Sequence, residues 1–477
     1  MLKYMTIADA CKATGGKWCG DDSALNKRIT DVVTDSRKAG EGTLFVAIAG
    51  ERVDGHNFIP QVLENGAVAA LSEKEIDNVK DYILVDNTVK AFGDLAAFYR
   101  KLLDIKVVGI TGSVGKTSTK EMIAAVLGEK YRVQKTAGNF NNDIGVPITV
   151  FTITEEHEIA VTEMGISGFG EMDVLSKITR PDIMVITNIG ECHLENLGTR
   201  DGVLKAKTEC FANLNQGARV VLNGDDDKLI TVERVQEKAP CFFGKDDTSY
   251  KKYSVYATDI VSLGLAGSEA TIHVGSDEVR VCIPIAGSHM VMNALAATQV
   301  GLLLGMSLEE IASGIAKCQA VAGRGKLTKT EKYLLVDDTY NANPVSMKAE
   351  LDLLAQSNGR RVAILGDMFE LGLNENEMHY EVGEYAAKKS DVLVCIGKLS
   401  KNMYEGACKN GGADIAGDTC DGQTTSAKAS DALRIYYFED KESFLAEKDN
   451  ILNDGDTILL KASHGMHFEE LFTFLLK

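Results

Sequence analysis

The sequence lacks the features that would direct a chain into or across a membrane. No stretch reaches the ~18 consecutive apolar residues that a membrane helix needs, and no long apolar run follows the lysines in residues 1–20. The ten cysteines form no C-x-x-C pair and stand beside no histidine cluster, which disfavours a zinc site and favours buried thiols in a reducing compartment. These absences predict a cytoplasmic protein without stable membrane insertion.

Basic side chains are also scarce relative to acidic ones. The chain has 51 lysines and arginines against 69 aspartates and glutamates, which gives a net charge of -18. A surface with this balance repels nucleic acid and anionic membranes, so no nucleic-acid partner is expected. Any phosphate ligand must therefore bind in a local cationic pocket.

Three patterns follow one another along the 477 residues, a length that suits about three domains. Residues 1–103 carry short strand-like runs between turns, as in a small mixed α/β module. Residues 104–322 alternate apolar strands with amphipathic helices, which predicts a parallel sheet with crossover helices. Residues 323–477 repeat that alternation as a separate Rossmann-like, doubly wound domain. The predicted fold class is therefore α/β with three domains.

Several segments make this prediction specific. The run 253–285 alternates apolar and polar residues around glycine turns, which predicts an antiparallel edge on the central sheet, and 410–430 is rich in turn residues. The strands expected in the two outer domains are 43–47, 67–71, 82–85, 334–336, 362–365, 392–396, 434–438 and 457–460.

A phosphate-binding loop stands between a strand-like run, 106–110, and a helical pattern. Its glycines let backbone N–H groups turn toward an anion, and the helix N-terminus adds positive potential. Lys116 would neutralise the β- and γ-phosphates of a nucleotide, and the Thr117 hydroxyl would bind magnesium. Ile110 stands where the strict motif has glycine, so a glycine-rich turn with a solvated lysine remains the alternative. The loop residues are Thr111, Gly112, Ser113, Val114, Gly115, Lys116 and Thr117.

Candidate ligands follow further along the chain. Glu163 ends the predicted strand 159–162, where α/β sheets place ligand residues, and could hold magnesium beside Thr117. His193 follows the next strand, and Lys207 lies in a helical pattern. On their own, His193 is more simply a structural residue and Lys207 a solvated charge.

Taken together, these motifs resemble the ATP-dependent Mur ligases of cell-wall synthesis. The shared motifs are 111–117, 138–147, 163–165, His193, 206–207, 287–289, Asn293, 323–324 and 338–344. Within that family, the motifs 337–344, 365–372, 34–37 and 54–58 are most similar to enzymes that act late in building the UDP-linked muramoyl peptide.

The resemblance implies an ATP-dependent amide ligase that joins D-alanyl-D-alanine to a UDP-N-acetylmuramoyl-tripeptide in peptidoglycan precursor synthesis. ATP would phosphorylate the terminal carboxylate of the tripeptide, and the dipeptide amine would attack the acyl phosphate, releasing ADP and phosphate. Phosphorylation is needed because a carboxylate is a poor electrophile. A monomer suits three articulated domains, and the tripeptide could carry either L-lysine or diaminopimelate.

The resemblance also implies roles for single residues. Lys116 and two magnesium ions would stabilise the transferring phosphoryl group, with Thr117, Glu163, His193 and a carbamylated Lys207 as the metal ligands.

Further implied contacts concern the nucleotide and the muramoyl substrate. Asn293 would contact adenine, and Arg324 and Asp338 would reach ATP from the C-terminal domain when the domains close. The implied residues for the muramoyl substrate are Asn139, Asn141 and Asn142 along its path and Ser36, Arg37 and His56 in its nucleotide-sugar pocket.

Two departures from the family pattern are visible. Gly325 and Lys326 follow Arg324 where related ligases often have methionine and glutamate, and His464 stands where they often have arginine. Other functions also remain open. They are a tripeptide-forming ligase, a folylpolyglutamate synthase, and an ATP-driven switch that makes no bond; the switch would hydrolyse ATP without the two other substrates.

Overall fold

The computed structural model describes residues 2–50, 52–245, 253–409, 413–414 and 433–477. Within these residues the strands form three sheets, one in each of the predicted α/β regions. The predicted turn-rich segment 410–430 lies outside the described residues except for 413–414. The domain boundaries at 103/104 and 322/323 stay predictions.

The N-terminal sheet has the described order β1-β5-β4-β3-β2, in which only β1 pairs antiparallel. Its strands are β1 (Lys17–Cys19), β2 (Asp31–Val33), β3 (Thr43–Val46), β4 (Ala69–Ser72) and β5 (Tyr82–Leu84). The helices of this region are α1 (Ile7–Thr14), α2 (Ile59–Glu64) and α3 (Thr88–Leu102). The three predicted strands of this region are confirmed, with ends shifted by one or two residues.

The central sheet has the described order β14-β13-β12-β11-β10-β9-β6-β8-β7. Its strands are β6 (Lys106–Thr111), β7 (Val133–Lys135), β8 (Ile159–Glu163), β9 (Ile183–Ile186), β10 (Arg219–Asn223), β11 (Cys241–Gly244), β12 (Tyr253–Ser262), β13 (Ser268–Val274) and β14 (Asp277–Ile283). The helices of this region are α4 (Lys116–Leu127), α5 (Gly145–Phe151), α6 (Glu171–Thr179), α7 (Leu194–Leu197), α8 (Arg200–Thr208), α9 (Met290–Leu303) and α10 (Leu308–Ala316). Strands β12, β13 and β14 form the predicted antiparallel edge.

The C-terminal sheet has the described order β15-β16-β21-β17-β18-β20-β19, parallel except for β15. Its strands are β15 (Lys326–Lys329), β16 (Leu334–Asp338), β17 (Arg361–Gly366), β18 (Val392–Ile396), β19 (Ala413–Asp414), β20 (Arg434–Phe438) and β21 (Thr457–Lys461). The helices are α11 (Pro344–Leu354), α12 (Glu375–Ala386), α13 (Ser400–Lys409), α14 (Lys441–Ile451) and α15 (Phe468–Leu475). The five predicted strands are confirmed, whereas β15 and β19 were not predicted.

Apolar faces explain why helices lie against these sheets. In α4, the predicted stripe of Met122, Ile123, Val126 and Leu127 is fully buried against the central sheet. Burying one such side chain contributes about 1.5–3 kcal/mol to folding. The stripe therefore fixes the helix that follows the phosphate loop.

The composition predicts the absence of membrane helices and the burial of the cysteine thiols. No helix in the described part of the chain is long and apolar enough to cross a membrane. None of the nine cysteines in that part forms a disulfide, and the expectation of buried thiols is met by four of them, whereas four are half-buried and Cys282 is exposed.

Candidate active site

A cleft of about 530 Å³ is lined by residues of the central and C-terminal domains. It brings together predicted site residues that are far apart in sequence, because strands of both parallel sheets end there. Those that line it are Ser113, Val114, Gly115, Lys116, Thr117, Asn141, Asn142, Glu163, His193, Asn293, Arg324 and Asp338.

The phosphate loop joins β6 to α4 and depends on glycine at two positions. Gly112 and Gly115 have φ values of 151° and 82°, and a Cβ on Gly112 would lie 1.9 Å from the hydroxyl of Thr187. The Lys116 ammonium donates hydrogen bonds to the carbonyls of Gly112 at 2.9 Å and Ser113 at 3.3 Å. Burial lowers the pKa of Lys116. The lysine is thus held over the loop, where a phosphate would meet it.

Glu163 lies at the end of β8 and is 1% exposed. Its Oε1 accepts hydrogen bonds from the Thr117 hydroxyl at 3.2 Å and from Asn141 Nδ2 at 2.9 Å. Its Oε2 is buried without a hydrogen bond, although the Lys120 ammonium lies 3.6 Å away. One carboxylate oxygen therefore remains free to accept a ligand.

A magnesium ion fits this arrangement. Magnesium prefers oxygen ligands and is commonly bound by one or two carboxylates together with substrate phosphates and waters. Thr117 and Glu163 offer such oxygens beside the phosphate loop. The described residues contain no group of three or more His, Cys, Asp or Glu side chains placed to hold a metal, so phosphate and water oxygens would complete the coordination.

His193 precedes α7 with a left-handed backbone, φ 51°. Its Nδ1 lies 2.7 Å from Oε2 of Glu370, a residue of the C-terminal domain. Burial lowers the pKa of His193, and the charges of Lys116 and Lys207 act in the same direction. The Glu370 carboxylate opposes this shift and raises the pKa of His193.

Lys207 lies in α8 and is 1% exposed, so it is not the solvated charge that its position in a helix suggests. Burial, reinforced by the Lys116 charge, lowers the pKa of Lys207 to about 7. In the described part of the chain, no carboxylate lies within ion-pair distance of its ammonium. Lys207 does not itself line the cleft.

Asn293 belongs to α9 and is buried beside the phosphate loop. Its Oδ1 accepts a hydrogen bond from the Thr119 hydroxyl at 2.9 Å, and it lines the cleft. This placement fits the adenine contact that the family resemblance implies, which stays a prediction.

The C-terminal wall of the cleft is built around β16 and β21. The Arg324 guanidinium stacks over the ring of Tyr340 at 3.8 Å. Asp338 at the end of β16 pairs with the buried ammonium of Lys461, which also donates to the carbonyl of Asn341 at 2.9 Å. Burial and the neighbouring Asp338 raise the pKa of Glu350, on α11, to about 8. This wall therefore carries its own paired charges.

The structure leaves other predicted site residues outside the cleft. Arg37 is exposed and pairs with Asp35 at 2.7 Å. His56 is buried, with Nδ1 2.6 Å from Asp54 and Nε2 accepting from the backbone N–H of Glu73 at 3.1 Å. The predicted residues that do not line the cleft are Ser36, Arg37, His56, Thr111, Gly112, Asn139 and Lys207.

Sequence reasoning missed several residues that shape the site. Asn188 braces the phosphate loop, because its side chain accepts from the Val114 N–H and donates to the Val114 carbonyl, both at 2.9 Å. Lys120 lies one helical turn after Lys116 and faces Glu163. The position of Asn188 at a strand end and the helical spacing of Lys120 were available signals. Glu370 lies in the shared motif 365–372, but its contact with His193 had no local signal, because the two positions are 177 residues apart in sequence.

Comparison with known proteins identifies the family. Three domain models match in order, "Mur ligase family, catalytic domain" at residues 28–103, "Mur ligase middle domain" at 110–301, and "Mur ligase, glutamate ligase domain" at 323–464. A relative from Bacillus subtilis (strain 168), described as UDP-N-acetylmuramoyl-tripeptide--D-alanyl-D-alanine ligase, is 39% identical over 456 residues. The match covers 94% of this chain and 93% of the relative. The chain belongs to the Mur ligase family.

Solved structures of Mur ligases agree with this fold. A crystal structure of MurF from Acinetobacter baumannii is 33% identical with a TM-score of 0.87, and the match covers 100% of this chain and 99% of that one. MurF ligase from Thermotoga maritima in complex with ADP is 28% identical with a TM-score of 0.80, over 94% of this chain and 97% of that one. The predicted three-domain α/β architecture is confirmed.

Proposed function

We propose that this Mur ligase, an ATP-dependent ligase, joins D-alanyl-D-alanine to UDP-N-acetylmuramoyl-tripeptide through an acyl phosphate. The observation that carries the proposal is the cleft, where the phosphate loop and Glu163 face Arg324 and Asp338 of the C-terminal domain. The Bacillus subtilis relative of the same description supports the choice of substrates. The other products are ADP and phosphate.

The first step transfers the terminal phosphoryl group of ATP to the tripeptide carboxylate. Catalysis of such transfers is mainly positioning and stabilisation of charge on the phosphoryl oxygens. Lys116 and the N–H groups at the start of α4 supply positive charge at the phosphate loop. Thr117 and Glu163 would hold a magnesium ion, which supplies further positive charge to the phosphate oxygens. Asn293 would contact the adenine.

In the second step the dipeptide amine attacks the acyl phosphate, an amide bond forms and phosphate leaves. The acyl phosphate must be kept from water, and a site between two domains can exclude water when they close. Arg324 and Asp338 line the cleft from the C-terminal side, so closure would bring them onto ATP.

Lys207 would take part as a carbamate. A neutral amine adds to carbon dioxide, forming an N–C bond and releasing one proton, and the product carries a negative charge. A pKa of about 7 leaves much of Lys207 neutral near pH 7. The carbamate would supply oxygen ligands, which suit magnesium, and with Glu163 and His193 it would hold a second ion.

The muramoyl substrate would bind on the N-terminal side of the molecule. Ser36, Arg37 and His56 belong to that domain and would hold the nucleotide-sugar, and the guanidinium of Arg37 is exposed. Asn139, Asn141 and Asn142 would line the path from there to ATP. The working form would be a monomer. It would act in the cytoplasm, the compartment in which ATP and UDP-linked sugars are made.

The test is the substrate dependence of ADP release. ATP and magnesium are combined with UDP-muramoyl-tripeptide and D-alanyl-D-alanine, and each peptide substrate is then omitted in turn. A ligase forms ADP and the pentapeptide in equal amounts and only in the complete mixture. Two tripeptides, ending in L-lysine and in diaminopimelate, determine the third residue. Equal ADP release without the peptide substrates would identify a switch and refute the proposal.

A further inference from the structure

Two non-glycine residues with left-handed backbones meet where the central and C-terminal domains touch. His193 of the central domain has φ 51°, and Glu370 of the C-terminal domain has φ 62°. Such conformations are costly for residues with a side chain and cluster at functional sites. Their side chains meet at 2.7 Å between Nδ1 and Oε2. Two strained residues thus meet at one contact between domains.

The loop that carries Glu370 is held firmly by its own domain. The N–H of Met368 donates to Nε2 of His379 at 2.9 Å, and the N–H of Phe369 donates to the Ser463 hydroxyl at 2.9 Å. The side chain of Glu370 is 59% exposed, so the fold of the C-terminal domain does not depend on it. The loop presents this carboxylate outward, toward the other domain.

The histidine side has no competing interaction. Nδ1 of His193 is buried and makes no hydrogen bond of regular geometry among the described residues. Its close polar contact among them is therefore the one with the carboxylate of Glu370. The two backbones are adjacent as well, because a Cβ on Gly372 would lie 3.8 Å from the N–H of Glu195. The contact therefore exists only while the two domains lie together.

We propose that Glu370 is a positioning residue that fixes the His193 imidazole when the C-terminal domain docks on the central domain. A carboxylate 2.7 Å from Nδ1 favours the tautomer with its proton on that nitrogen and the ring orientation that keeps the two groups together, and it leaves Nε2 unprotonated. Glu370 itself touches no reacting group and acts through His193. Docking of the C-terminal domain therefore also orients His193 in the site.

The kinetic test rests on the proposed function and compares Glu370→Ala, Glu370→Gln and Glu377→Ala. Glu377 is a matched control, since it is an exposed acid on α12, in the same domain. Loss of an outer partner of a ligand histidine commonly costs about 10–100-fold in activity. We expect that loss in kcat for Glu370→Ala, an unchanged KM for the muramoyl substrate, and partial recovery in Glu370→Gln, which keeps an acceptor oxygen. Wild-type kcat in Glu370→Ala would refute the proposal.

A spectroscopic test needs no turnover, so it decides this inference even if the ligase proposal fails. Protein labelled with ¹⁵N-histidine carries eight labelled rings, and the His193 signals are those absent from His193→Asn. We expect Glu370→Ala to move the ring nitrogen signals of His193 while the other histidines, which report on folding, keep theirs. Unmoved His193 signals in a folded Glu370→Ala protein would overturn the assignment.

Discussion

The central and C-terminal domains each bury a lysine beside the cleft, but they treat its charge differently. Lys461 of the C-terminal domain is 2% exposed and meets the carboxylate of Asp338. Lys207 of the central domain is 1% exposed and meets no carboxylate in the described part of the chain. A buried charge is expensive unless it is paired. The buried charge of Lys461 is therefore compensated within the C-terminal domain. The buried charge of Lys207 would be compensated only by a ligand or by a chemical modification.

Lys120 shows that the central domain can pair a buried lysine. It is 1% exposed like Lys207, yet its ammonium lies 3.6 Å from Glu163 and donates to the carbonyl of Thr136 at 2.8 Å. The lack of an anion at Lys207 is thus local to that side chain.

The largest effect is expected on stability, from Lys461→Met. Removing one partner of a buried ion pair leaves the other charge unpaired and costs about 3–5 kcal/mol. Lys207→Met removes a cation that has no partner, so it should leave the free energy of unfolding unchanged or raise it. Denaturant unfolding of both variants measures the difference. Equal losses of stability would mean that the two lysines are not differently paired.

Lys116→Ala should abolish acyl phosphate formation while folding survives. The phosphate loop loses its point charge at a place where one such contact is worth ~3 kcal/mol or more to the transition state. The readout is phosphate release at saturating ATP, with the melting temperature as the control for folding. Near-normal turnover would show that the loop does not bind the transferring phosphate.

Lys207→Ala should lower activity about 10–100-fold, as expected for loss of a metal ligand or its close partner. The exposed Lys205 on the same helix offers a matched control, since an alanine at a solvated position changes stability by no more than ~0.5 kcal/mol. A small added carboxylate should restore part of the activity of Lys207→Ala by filling the vacated position. Normal turnover of Lys207→Ala would contradict the proposed metal site.

Arg324→Ala should raise the KM for ATP about tenfold, which matches the ~1.5 kcal/mol of one hydrogen bond to a charged group. Binding of the UDP-linked substrate should not change, because Arg324 lies on the C-terminal wall. Titration with each ligand separately checks this. An equal loss of affinity for both ligands would indicate a folding defect instead.

The smallest effect concerns pH. The pKa of Lys207 is about 7 in the folded chain and 10.5 as the reference value, so between these values the unfolded state binds more protons. The unfolding free energy therefore rises with pH in this window, by about 1 kcal/mol for the first unit above 7. Below 7 the lysine is charged in both states and its full burial cost applies. Lys207→Met should not show this rise of the unfolding free energy with pH. Wild-type protein saturated with bicarbonate should lose the rise as well, because the carbamate replaces the titrating amine.

Local patterns predicted much of the fold and part of the site. The phosphate loop follows from glycines between a strand and an amphipathic helix, and Glu163 from its position at a strand end. These signals lie within one supersecondary unit, so a single sequence contains them. The short strand β15 was missed because its alternation is weak and only Leu327 in it is apolar.

Contacts between distant segments could not be predicted in this way. The burial of Lys207 depends on how α8 packs, while the sequence around it, Ala206-Lys207-Thr208, is compatible with an ordinary solvated helix. The pairs Lys461 with Asp338 and His193 with Glu370 join positions more than a hundred residues apart. Tertiary packing determines the burial of Lys207 and both residue pairs, and no local sequence pattern predicts tertiary packing.

The charge state of Lys207 is measured most directly by carbon-13 NMR of the protein equilibrated with ¹³C-bicarbonate. A carbamate gives a carbonyl signal separate from free bicarbonate. We expect such a signal in wild-type protein and in Lys205→Ala, and its loss in Lys207→Ala. Absence of the signal from wild-type protein with magnesium and nucleotide bound, or its persistence in Lys207→Ala, would contradict the claim that this buried lysine becomes an anion.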